Sequence, residues 1–372
     1  MKVLCINYEY PPLGGGGGVF CQGLAETLVK LGYEIDVVTS GMNHLPSYEE
    51  INGVRVHRVK CIRRHQHYVG TLEMATQILP AYYKALELAK NNNYDFNHTH
   101  FVVPSGVVSY KLWKKTGLPY IITAHGSDIP GYNPDRFEFV HKLIRFQWKP
   151  IINNSEIVAT PSKFLKRLIL KHAEVPIEII QYGHDPCIKN KTAKRNRILV
   201  VTRIFERKGV QYLLEAIAKL DTNWEIHIAG DGPYLTDLKA MAKKVKPTVK
   251  FLGFIRGQEL FDLYSSAKIF VFPSIQENFP VVLLEAMAAG CAVITTSAEG
   301  CGEVIGNAGI QVKCGNVKEL RAMLERLMND EEEIGRLAGL ARKRIGNFAW
   351  QNIAGKYDSL FRQYLSKPRC GR

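Results

Sequence analysis

Short apolar runs alternate with amphipathic stretches along most of the chain, and this pattern predicts strands that alternate with helices. The first series of predicted strands is Lys2–Asn7, Glu34–Thr39, Val54–Val59, Asp95–Thr99, Tyr120–Thr123, Glu156–Ala159 and Ile177–Gln181. The second series is Ile198–Val201, Glu225–Ala229, Val249–Leu252, Ile269–Phe272, Ala292–Thr295 and Gly309–Val312. Predicted helices include Phe20–Leu31, Pro134–Trp148, Val210–Leu220, Val281–Ala289 and Val317–Met328. Strand–helix alternation favours parallel sheets covered on both faces, so two series predict two doubly wound α/β domains.

A polar segment, Asp185–Arg197, separates the two series. It carries five basic residues and has little to bury, which is typical of a linker. We therefore predict one domain over residues 1–185 and a second over residues 186–350. The chain ends with a further predicted helix, Trp350–Leu365, whose apolar residues need a surface to cover.

A length of 372 residues favours two domains. With 46% hydrophobic and 23% charged residues, the composition is that of a folded protein and excludes a disordered chain. The first residues run directly into a predicted strand rather than a signal peptide, so we expect a cytoplasmic protein. The eight cysteines form no C-x-x-C pair, and His98-x-His100 and His65-x-His67 lack a third ligand. We therefore predict free thiols and no metal site.

The formal net charge of +14 indicates an anionic partner, such as a nucleotide, nucleic acid or an acidic membrane face. The basic run Lys189–Arg197 has no interleaved aromatic residues, so we interpret it as a solvated face and expect no nucleic acid partner. Cys61–Val69 mixes cations with apolar residues, which predicts weak peripheral binding to an anionic membrane surface. Further cations on predicted helical segments support this: Lys142, Arg145, Lys149, Lys163, Lys166, Arg167 and Lys171.

Residues that follow predicted strands are the first candidates for a site, because open parallel sheets bind ligands at the carboxyl ends of their strands. Two facing sheets then predict one cleft between the domains. The glycine run Gly14–Gly18 follows the first strand and either lets the backbone approach a ligand or forms a flexible turn. No Gly-Lys-Ser/Thr follows it, so it is not a Walker A loop. His125-Gly126-Ser127-Asp128 follows another strand, and either meets a substrate or completes a polar turn.

Charged residues in the second domain predict a site for a phosphorylated, hydroxyl-rich ligand. Arg203 and Lys208 flank the loop after a strand, where they suit a diphosphate or form a solvated surface pair. Glu277 precedes a predicted helix and Glu285 lies within it among apolar neighbours. A carboxylate there needs hydrogen-bond donors, which the hydroxyls of a ribose or a hexose supply. Alternatively, neither residue binds a ligand: Glu277 is a glutamate near the start of a helix, and Glu285 forms a salt bridge.

Together these residues resemble the retaining glycosyltransferases of family 4, which have the GT-B fold. The E-x7-E element of that family matches Glu277 and Glu285, and its R-x4-K element matches Arg203 and Lys208. Three further features match in the same order along the chain: the glycine run Gly14–Gly18, His125, and the turn Ala229–Pro233. Thr202 stands where the family often has glycine before the arginine.

The resemblance implies a fold and a set of residue roles. Two Rossmann-like domains would face each other across a cleft, and residues 351–372 would return to the first domain. The donor would be bound by Arg203, Lys208, Gly232, Phe254, Ile255, Glu277, Asn278, Phe279, Pro280 and Glu285. Catalysis would involve His125, Glu277, Arg203 and Lys208, while Gly15, Gly16, Gly17, Gly18 and Asp128 would form the phosphate and acceptor loop.

The implied activity is transfer of a sugar from a UDP- or GDP-type nucleotide sugar to the hydroxyl of a glycan or lipid-linked acceptor, with retention of configuration. No D-x-D motif occurs, and the two cations can replace a metal, so we predict no metal and no cofactor. Three alternatives remain at this point. They are a glycosidase using two carboxylates, a GT-B nucleotide-sugar epimerase, and a basic module that binds nucleic acid or an anionic surface.

Overall fold

The computed structural model describes residues 1–66, 69–132, 148–185 and 192–365 of the chain. The chain divides into two compact units. The first unit is Met1–Gly183 together with the chain from Trp350 onward, and the second unit is His184–Ala349. Each unit has its own sheet, and strands alternate with helices in both.

The first unit is built on an eight-stranded sheet. Its strands are β1 Lys2–Ile6, β2 Glu34–Ser40, β3 Tyr48–Ile51, β4 Val54–Val59, β5 Phe96–His100, β6 Tyr120–Thr123, β7 Val158–Thr160 and β8 Ile177–Ile179. Their order is β3-β4-β2-β1-β5-β6-β7-β8, and only the β3–β4 pair is antiparallel. Since β1 pairs with β2 on one side and with β5 on the other, the winding direction of the sheet reverses between β1 and β5. Ligands of doubly wound sheets bind at such a switch point.

Helices cover this sheet. They are α1 Gly16–Lys30, α2 Thr71–Thr76, α3 Ile78–Asn91, α4 Ser105–Thr116 and α5 Lys163–Leu170, and residues 148–153 are helical as well. The predicted helix Pro134–Trp148 lies outside the described residues except for Trp148, which is buried. Buried side chains such as Leu4, Ile6 and Val108 form the core between sheet and helices.

Two local features of the first unit differ from the prediction. Helix α1 begins at Gly16 instead of Phe20, because the Gly18 and Val19 amides already donate to the Gly15 carbonyl. Strand β3 was not predicted, since its half-buried positions are Glu49 and Ile51 while Tyr48 and Glu50 are exposed, so no apolar alternation marks it. It forms a hairpin with β4 through Asn52-Gly53, where both residues have positive φ (50° and 82°), as an Asn-Gly hairpin turn requires.

The second unit is built on a six-stranded, all-parallel sheet. Its strands are β9 Arg195–Val201, β10 Glu225–Ala229, β11 Val249–Gly253, β12 Ala267–Phe272, β13 Ala292–Thr296 and β14 Ile310–Val312. Its helices are α6 Val210–Ile217, α7 Leu235–Ala242, α8 Gly257–Ser266, α9 Val281–Ala288, α10 Glu299–Ile305, α11 Val317–Met328 and α12 Glu331–Ile345. The strand order is β11-β10-β9-β12-β13-β14, so the switch point lies between β9 and β12.

The end of the predicted linker is part of this sheet. Residues 186–191 lie outside the described part of the chain, but β9 already begins at Arg195. Arg197 is buried and donates from Nε to Glu225 Oε2 at 2.8 Å. Lys194 donates to the carbonyls of Ala267 at 2.7 Å and Ala289 at 2.8 Å. The prediction that Asp185–Arg197 has little to bury is therefore wrong for Lys194 and Arg197, whose charges are held by partners within the unit, while Arg195 and Asn196 are exposed.

The last helix, α13 Trp350–Leu365, packs on α1 within the first unit. Its buried face is Ile353, Ala354, Tyr357, Leu360 and Phe361. Trp350 also belongs to this unit, one residue earlier than predicted, since its ring centroid lies 5.7 Å from that of Phe20. A Cβ at Gly23 would lie 2.2 Å from the Trp350 ring, so glycine is what lets the helices approach.

Two cations predicted for a membrane-facing surface are held inside the first unit instead. Arg63 is buried, and its guanidinium donates to the Tyr8 carbonyl at 3.2 Å and to Ser40 Oγ at 3.0 Å. Lys166 Nζ donates to the Ile177 carbonyl at 2.9 Å. Arg63 is therefore not available to a membrane surface, whereas Lys166 is half-buried, and the membrane association itself stays a prediction. His67, Lys142 and Arg145 lie outside the described residues.

Candidate active site

A buried ion pair lies at the switch point of the second unit. Lys208 belongs to the 3₁₀ turn Glu206–Lys208 after β9, and Glu277 lies in the loop after β12, so the two residues come from adjacent strands. Lys208 Nζ donates to Glu277 Oε1, and both side chains are buried. The ammonium also lies 5.7 Å from the centroid of the Phe272 ring. The fold therefore joins the R-x4-K and E-x7-E elements directly.

The surroundings of Lys208 set opposing effects on its charge. Burial lowers the pKa of the Lys208 ammonium, Glu277 opposes that shift, and the net effect leaves the pKa below its usual value. An ammonium has three N–H donors, and Glu277 accepts one of them. Lys208 can therefore donate to an anion while Glu277 keeps it in place.

Close backbone packing fixes the loops that carry this pair. Gly209 has φ 71°, and a Cβ there would lie 2.0 Å from the Pro273 carbonyl oxygen. The Ile275 amide donates to the Arg207 carbonyl at 3.0 Å, which ties the loop after β12 to the loop after β9. A side chain at residue 209 would push the two loops apart, so the Lys208-Gly209 sequence is a geometric requirement.

Helix α9 carries the remaining residues of the E-x7-E element. Asn278 and Phe279 are buried, and Pro280 is the N-cap residue of the helix. Glu285 is half-buried, and its Oε2 accepts a hydrogen bond from the Tyr264 hydroxyl at 2.6 Å. The Tyr264 hydroxyl is thus the hydrogen-bond donor that a carboxylate among apolar neighbours requires. Sequence reasoning missed Tyr264, because α8 is distant along the chain.

The other predicted donor residues follow neighbouring strands of the same sheet. Arg203 follows β9; its side chain is exposed, and its guanidinium carbon lies 5.8 Å from the Phe205 ring centroid. Gly232 follows β10, in a turn tied to the loop after β9 by the Ile204 amide, which donates to the Asp231 carbonyl at 2.8 Å. Phe254 and Ile255 follow β11, and Phe254 is 63% exposed. All these residues thus lie at one edge of the sheet.

His125 occupies an aromatic, hydrogen-bonded setting in the first unit. Its Nδ1 lies 2.8 Å from the Tyr182 hydroxyl and its Nε2 lies 3.1 Å from His100 Nδ1. Its ring centroid is 4.4 Å from that of Phe101. Burial, and then the neighbouring His100, hold the pKa of His125 well below its usual range. The imidazole is therefore neutral at pH 7 and fixed in orientation.

Asp128 organises the loop that carries His125. Its Oδ1 accepts from the His125 amide at 3.2 Å and the Gly126 amide at 2.8 Å, and its Oδ2 accepts from the Val102 amide at 2.8 Å. Because both carboxylate oxygens of this buried residue are engaged by backbone amides, the structure supports a loop-positioning role for Asp128 rather than that of a nucleophile.

The glycine run meets packing needs within the first unit. A Cβ at Gly17 would lie 2.4 Å from the Phe101 ring, and Cβ atoms at Gly14 and Gly18 would press on Glu9. Gly15 lies next to the start of α1, and its amide donates to Glu9 Oε2 at 3.0 Å. Gly16 differs, because a Cβ there would have no neighbour within 4 Å among the described residues. This packing depends on Phe101, a non-glycine residue with φ 70°, which no sequence pattern had indicated.

Two family models match consecutive parts of this chain. The model described as glycosyltransferase family 4 matches residues 14–186, and the one described as glycosyl transferases group 1 matches residues 185–344. An uncharacterized glycosyltransferase of Methanocaldococcus jannaschii is 32% identical, and the match covers 97% of this chain and 98% of that protein.

Solved structures share the fold. Sucrose-phosphate synthase from Thermosynechococcus elongatus matches with a TM-score of 0.79 and 21% identity, over 98% of each chain. Anabaena HepE in complex with UDP-glucose matches with a TM-score of 0.75 and 17% identity, over 98% of this chain and 100% of that one.

The fold and the matched models define a glycosyltransferase with the GT-B fold. The chain belongs to glycosyltransferase family 4, as its resemblance in motifs predicted. None of the helices within the described ranges combines the length and the apolar character that a bilayer span requires.

The buried pair predicts a distinct pattern of stability. Lys208→Met or Glu277→Gln alone should lower the free energy of unfolding of the second unit by about 3–5 kcal/mol, because each leaves a buried charge without its partner. The double variant should regain most of that loss. The measurement is chemical denaturation of all three variants and the wild type.

Arg336→Met is the matched control, because Arg336 forms an exposed ion pair with Glu333 at 2.6 Å in the same unit. Its cost should stay within about 1 kcal/mol. Strictly additive losses in the double variant would show that Lys208 and Glu277 are not energetically coupled.

Proposed function

We propose that this glycosyltransferase moves a hexose from a UDP- or GDP-type nucleotide sugar to an acceptor hydroxyl, with retention of configuration and without a divalent ion on the diphosphate. We place the reaction in the synthesis of a cell-envelope glycan, glycolipid or polysaccharide. The observation that carries the proposal is the buried Lys208–Glu277 pair at the switch point between β9 and β12. Anabaena HepE, solved with UDP-glucose, supports this donor class.

Each part of the donor has a chemically matched group at this edge of the sheet. Arg203 and Lys208 are assigned to the diphosphate, since a guanidinium grips two oxygens and an ammonium acts as a point charge. Glu285 is assigned to the ribose: Tyr264 occupies its Oε2, and its Oε1 accepts from a ribose hydroxyl. The loop with Phe254 and Ile255 is assigned to the base, through backbone contacts and the exposed Phe254 ring.

The sugar is assigned to the segment between β12 and α9. Glu277 accepts from sugar hydroxyls with the oxygen that Lys208 leaves available, and the amides near Asn278 and Phe279 donate to the remaining hydroxyls. Pro280 has no amide proton, so it directs the hydrogen bonding to its neighbours. One ion pair thereby links recognition of the sugar with recognition of the leaving group.

The reaction breaks the bond between the anomeric carbon and the diphosphate oxygen and forms a bond between that carbon and the acceptor oxygen. Negative charge develops on the departing diphosphate, and Arg203 and Lys208 stabilise it there. In the same-face route, a donor phosphate oxygen takes the acceptor proton. No protein nucleophile is required, which agrees with the engagement of Asp128 by amides and of Glu277 by Lys208.

The acceptor side of the reaction is assigned to the first unit. His125 is held by Tyr182 and His100, which suits a residue that positions a sugar rather than one that swings. Gly15 and Gly16 offer backbone at the start of α1, where Gly16 is open and Gly15 donates to Glu9. Gly17, Gly18 and Asp128 support these contacts through packing and loop hydrogen bonds.

Nucleotide binding tests the donor assignment. UDP or GDP should raise the unfolding temperature of the wild type, by an amount equivalent to about 2.7 kcal/mol at a hundredfold excess over Kd. Arg203→Ala and Glu285→Gln should each weaken binding by about 1.5–3 kcal/mol, because the first removes hydrogen bonds to the charged diphosphate and the second replaces a charged acceptor with a neutral amide. A screen of UDP, GDP and ADP by thermal shift, followed by calorimetry, provides the measurement.

Arg207→Ala is the matched control, since Arg207 shares the loop and lies 5.9 Å from the same Phe205 ring. It should bind the nucleotide nearly as the wild type does. Equal losses of nucleotide affinity in Arg203→Ala and in the control would show that the loop attracts the nucleotide only through its general positive charge. Unchanged affinity in both Arg203→Ala and Glu285→Gln would refute it.

Product analysis tests the mechanism. In buffer free of divalent ions the enzyme should transfer sugar at a rate that Mg²⁺ or Mn²⁺ does not raise, since Arg203 and Lys208 already neutralise the leaving group. Proton NMR of the first-formed product should show the anomeric configuration of the donor. Three results would contradict the proposal: activity that depends on added Mg²⁺ or Mn²⁺, an inverted product, or epimerised donor in the absence of acceptor.

An anionic bilayer is the second partner that we propose, bound weakly by the surface around residues 60–64 and α2. Ile62 and Leu72 are 58% and 84% exposed, and Lys60 and Arg64 are exposed beside them along the chain. The Ile62 amide donates to Thr76 Oγ1 at 3.0 Å, which attaches this loop to α2. Apolar side chains flanked by cations are the composition of an interfacial surface.

Vesicle binding tests this surface. The double variant Lys60→Ala/Arg64→Ala should bind phosphatidylserine vesicles about 30-fold more weakly than the wild type, at about 1 kcal/mol per cation. Lys243→Ala/Lys244→Ala removes the same charge from an exposed site in the second unit and should have little effect. Co-sedimentation at low salt measures both. Wild-type protein that fails to sediment with these vesicles, or equal losses in the two variants, would exclude the surface.

A further inference from the structure

Three metal-ligating side chains meet in the interior of the first unit. Cys5 lies on β1, Cys21 in α1 and His100 at the end of β5, and all three are buried. The two sulfurs are 3.5 Å apart, and the ligand atoms of the three residues lie within 4.8 Å of one another. Zn–S bonds of about 2.3 Å in a tetrahedron separate two sulfurs by about 3.8 Å. The cluster is therefore close to the spacing that a bound ion imposes.

Two buried donors beside this cluster have no acceptor among the residues that the structure describes. They are Asn7 Nδ2 and the Tyr10 hydroxyl, and both side chains are fully buried. Asn7 continues the β1 ladder, since its amide donates to the Val38 carbonyl at 3.1 Å, and it lies two positions after Cys5 on the same side. Tyr10 lies on the segment that follows β1, and its side chain is fully buried as well.

We infer that Cys5, Cys21 and His100 form a binding site for Zn²⁺. On binding, each thiol releases its proton to solvent, and two Zn–S bonds and one Zn–N bond form. Two thiolates balance the charge of the ion, so the buried site is electroneutral. Thiolates accept hydrogen bonds far better than thiols do, so the same step supplies a stronger acceptor for the buried Asn7 amide, whose side chain interacts with Cys21.

The site also connects to His125. His100 Nδ1 is engaged with His125 Nε2 at 3.1 Å, which leaves His100 Nε2 for the ion. A metal on Nε2 requires the proton on Nδ1, so His100 donates to His125. His125 then carries its own proton on Nδ1 and donates it to the Tyr182 oxygen, 2.8 Å away. The ion thereby fixes the tautomer and the orientation of His125, and His100 acts as a positioning residue.

The spacing of the ligands explains why the sequence predicts no metal site. Cys5 on β1 is in register with His98 on β5, and α1 brings Cys21 over these two strands. The three ligands are therefore joined by tertiary structure rather than by a local motif. His98, the other histidine of the His98-x-His100 pair, does not join the cluster. Its Nε2 lies 2.9 Å from Thr123 Oγ1.

Titration of the reduced full-length chain with Co²⁺ under anaerobic conditions tests the inference. One equivalent of Co²⁺ should produce a thiolate-to-cobalt charge-transfer absorption band, and Zn²⁺ should abolish it while excess Mg²⁺ leaves it unchanged. Cys5→Ser and Cys21→Ser should each lose the band. Cys291→Ser should keep it, because Cys291 is a buried cysteine of the second unit that donates to backbone carbonyls.

A second measurement needs no variant and keeps the test decisive if the serine variants fail to fold. Zn²⁺ should slow the alkylation of Cys5 and Cys21, followed by mass spectrometry of the wild type, and leave that of Cys291 unchanged. Absence of the charge-transfer band in the wild type, or its persistence in Cys5→Ser and Cys21→Ser, would overturn the inference. Alkylation of Cys5 and Cys21 at the same rate with and without Zn²⁺ would overturn it as well.

Discussion

The buried contact between the Lys208 ammonium and the Glu277 carboxylate constrains the whole edge of the second sheet. Removing two charges from water costs several kcal/mol for each ion, so neither side chain is stable there without the other. The chain meets this condition by placing the pair on the loops of two adjacent parallel strands, β9 and β12, whose backbones are tied together next to Gly209. A cation fixed in this way needs little reorganisation when an anion arrives, which is the condition for electrostatic stabilisation of a leaving group.

The first unit organises its polar loops differently. There the central residue, His125, is a neutral imidazole that is hydrogen-bonded at both ring nitrogens, one as donor and one as acceptor, and packed against Phe101. The Asp128 carboxylate accepts hydrogen bonds from backbone amides. It therefore stabilises the conformation of the loop instead of facing a ligand. One unit thus offers fixed charge and the other a fixed neutral surface.

Much of this organisation could be predicted from sequence because parallel strands are buried on both faces and appear as short apolar runs. The motif residues were also accessible, since Arg203 and Glu277 lie in loops directly after such runs, and Lys208 and Glu285 follow within the next turns. Features that depend on distant parts of the chain were not accessible. Tyr264 completes the setting of Glu285 from another helix, and Phe101 explains the glycine at residue 17. Cys5 and Cys21 meet only because α1 folds back over β1.

The central claim is that the cations at the β9–β12 switch point bind the diphosphate of the donor without a metal ion. A crystal structure of the full-length enzyme with UDP or GDP, grown without divalent ions, tests it most directly. The account predicts the β-phosphate within hydrogen-bond distance of Arg203 and Lys208, and a ribose hydroxyl on Glu285. A nucleotide bound elsewhere, or a diphosphate that contacts neither cation, would contradict it.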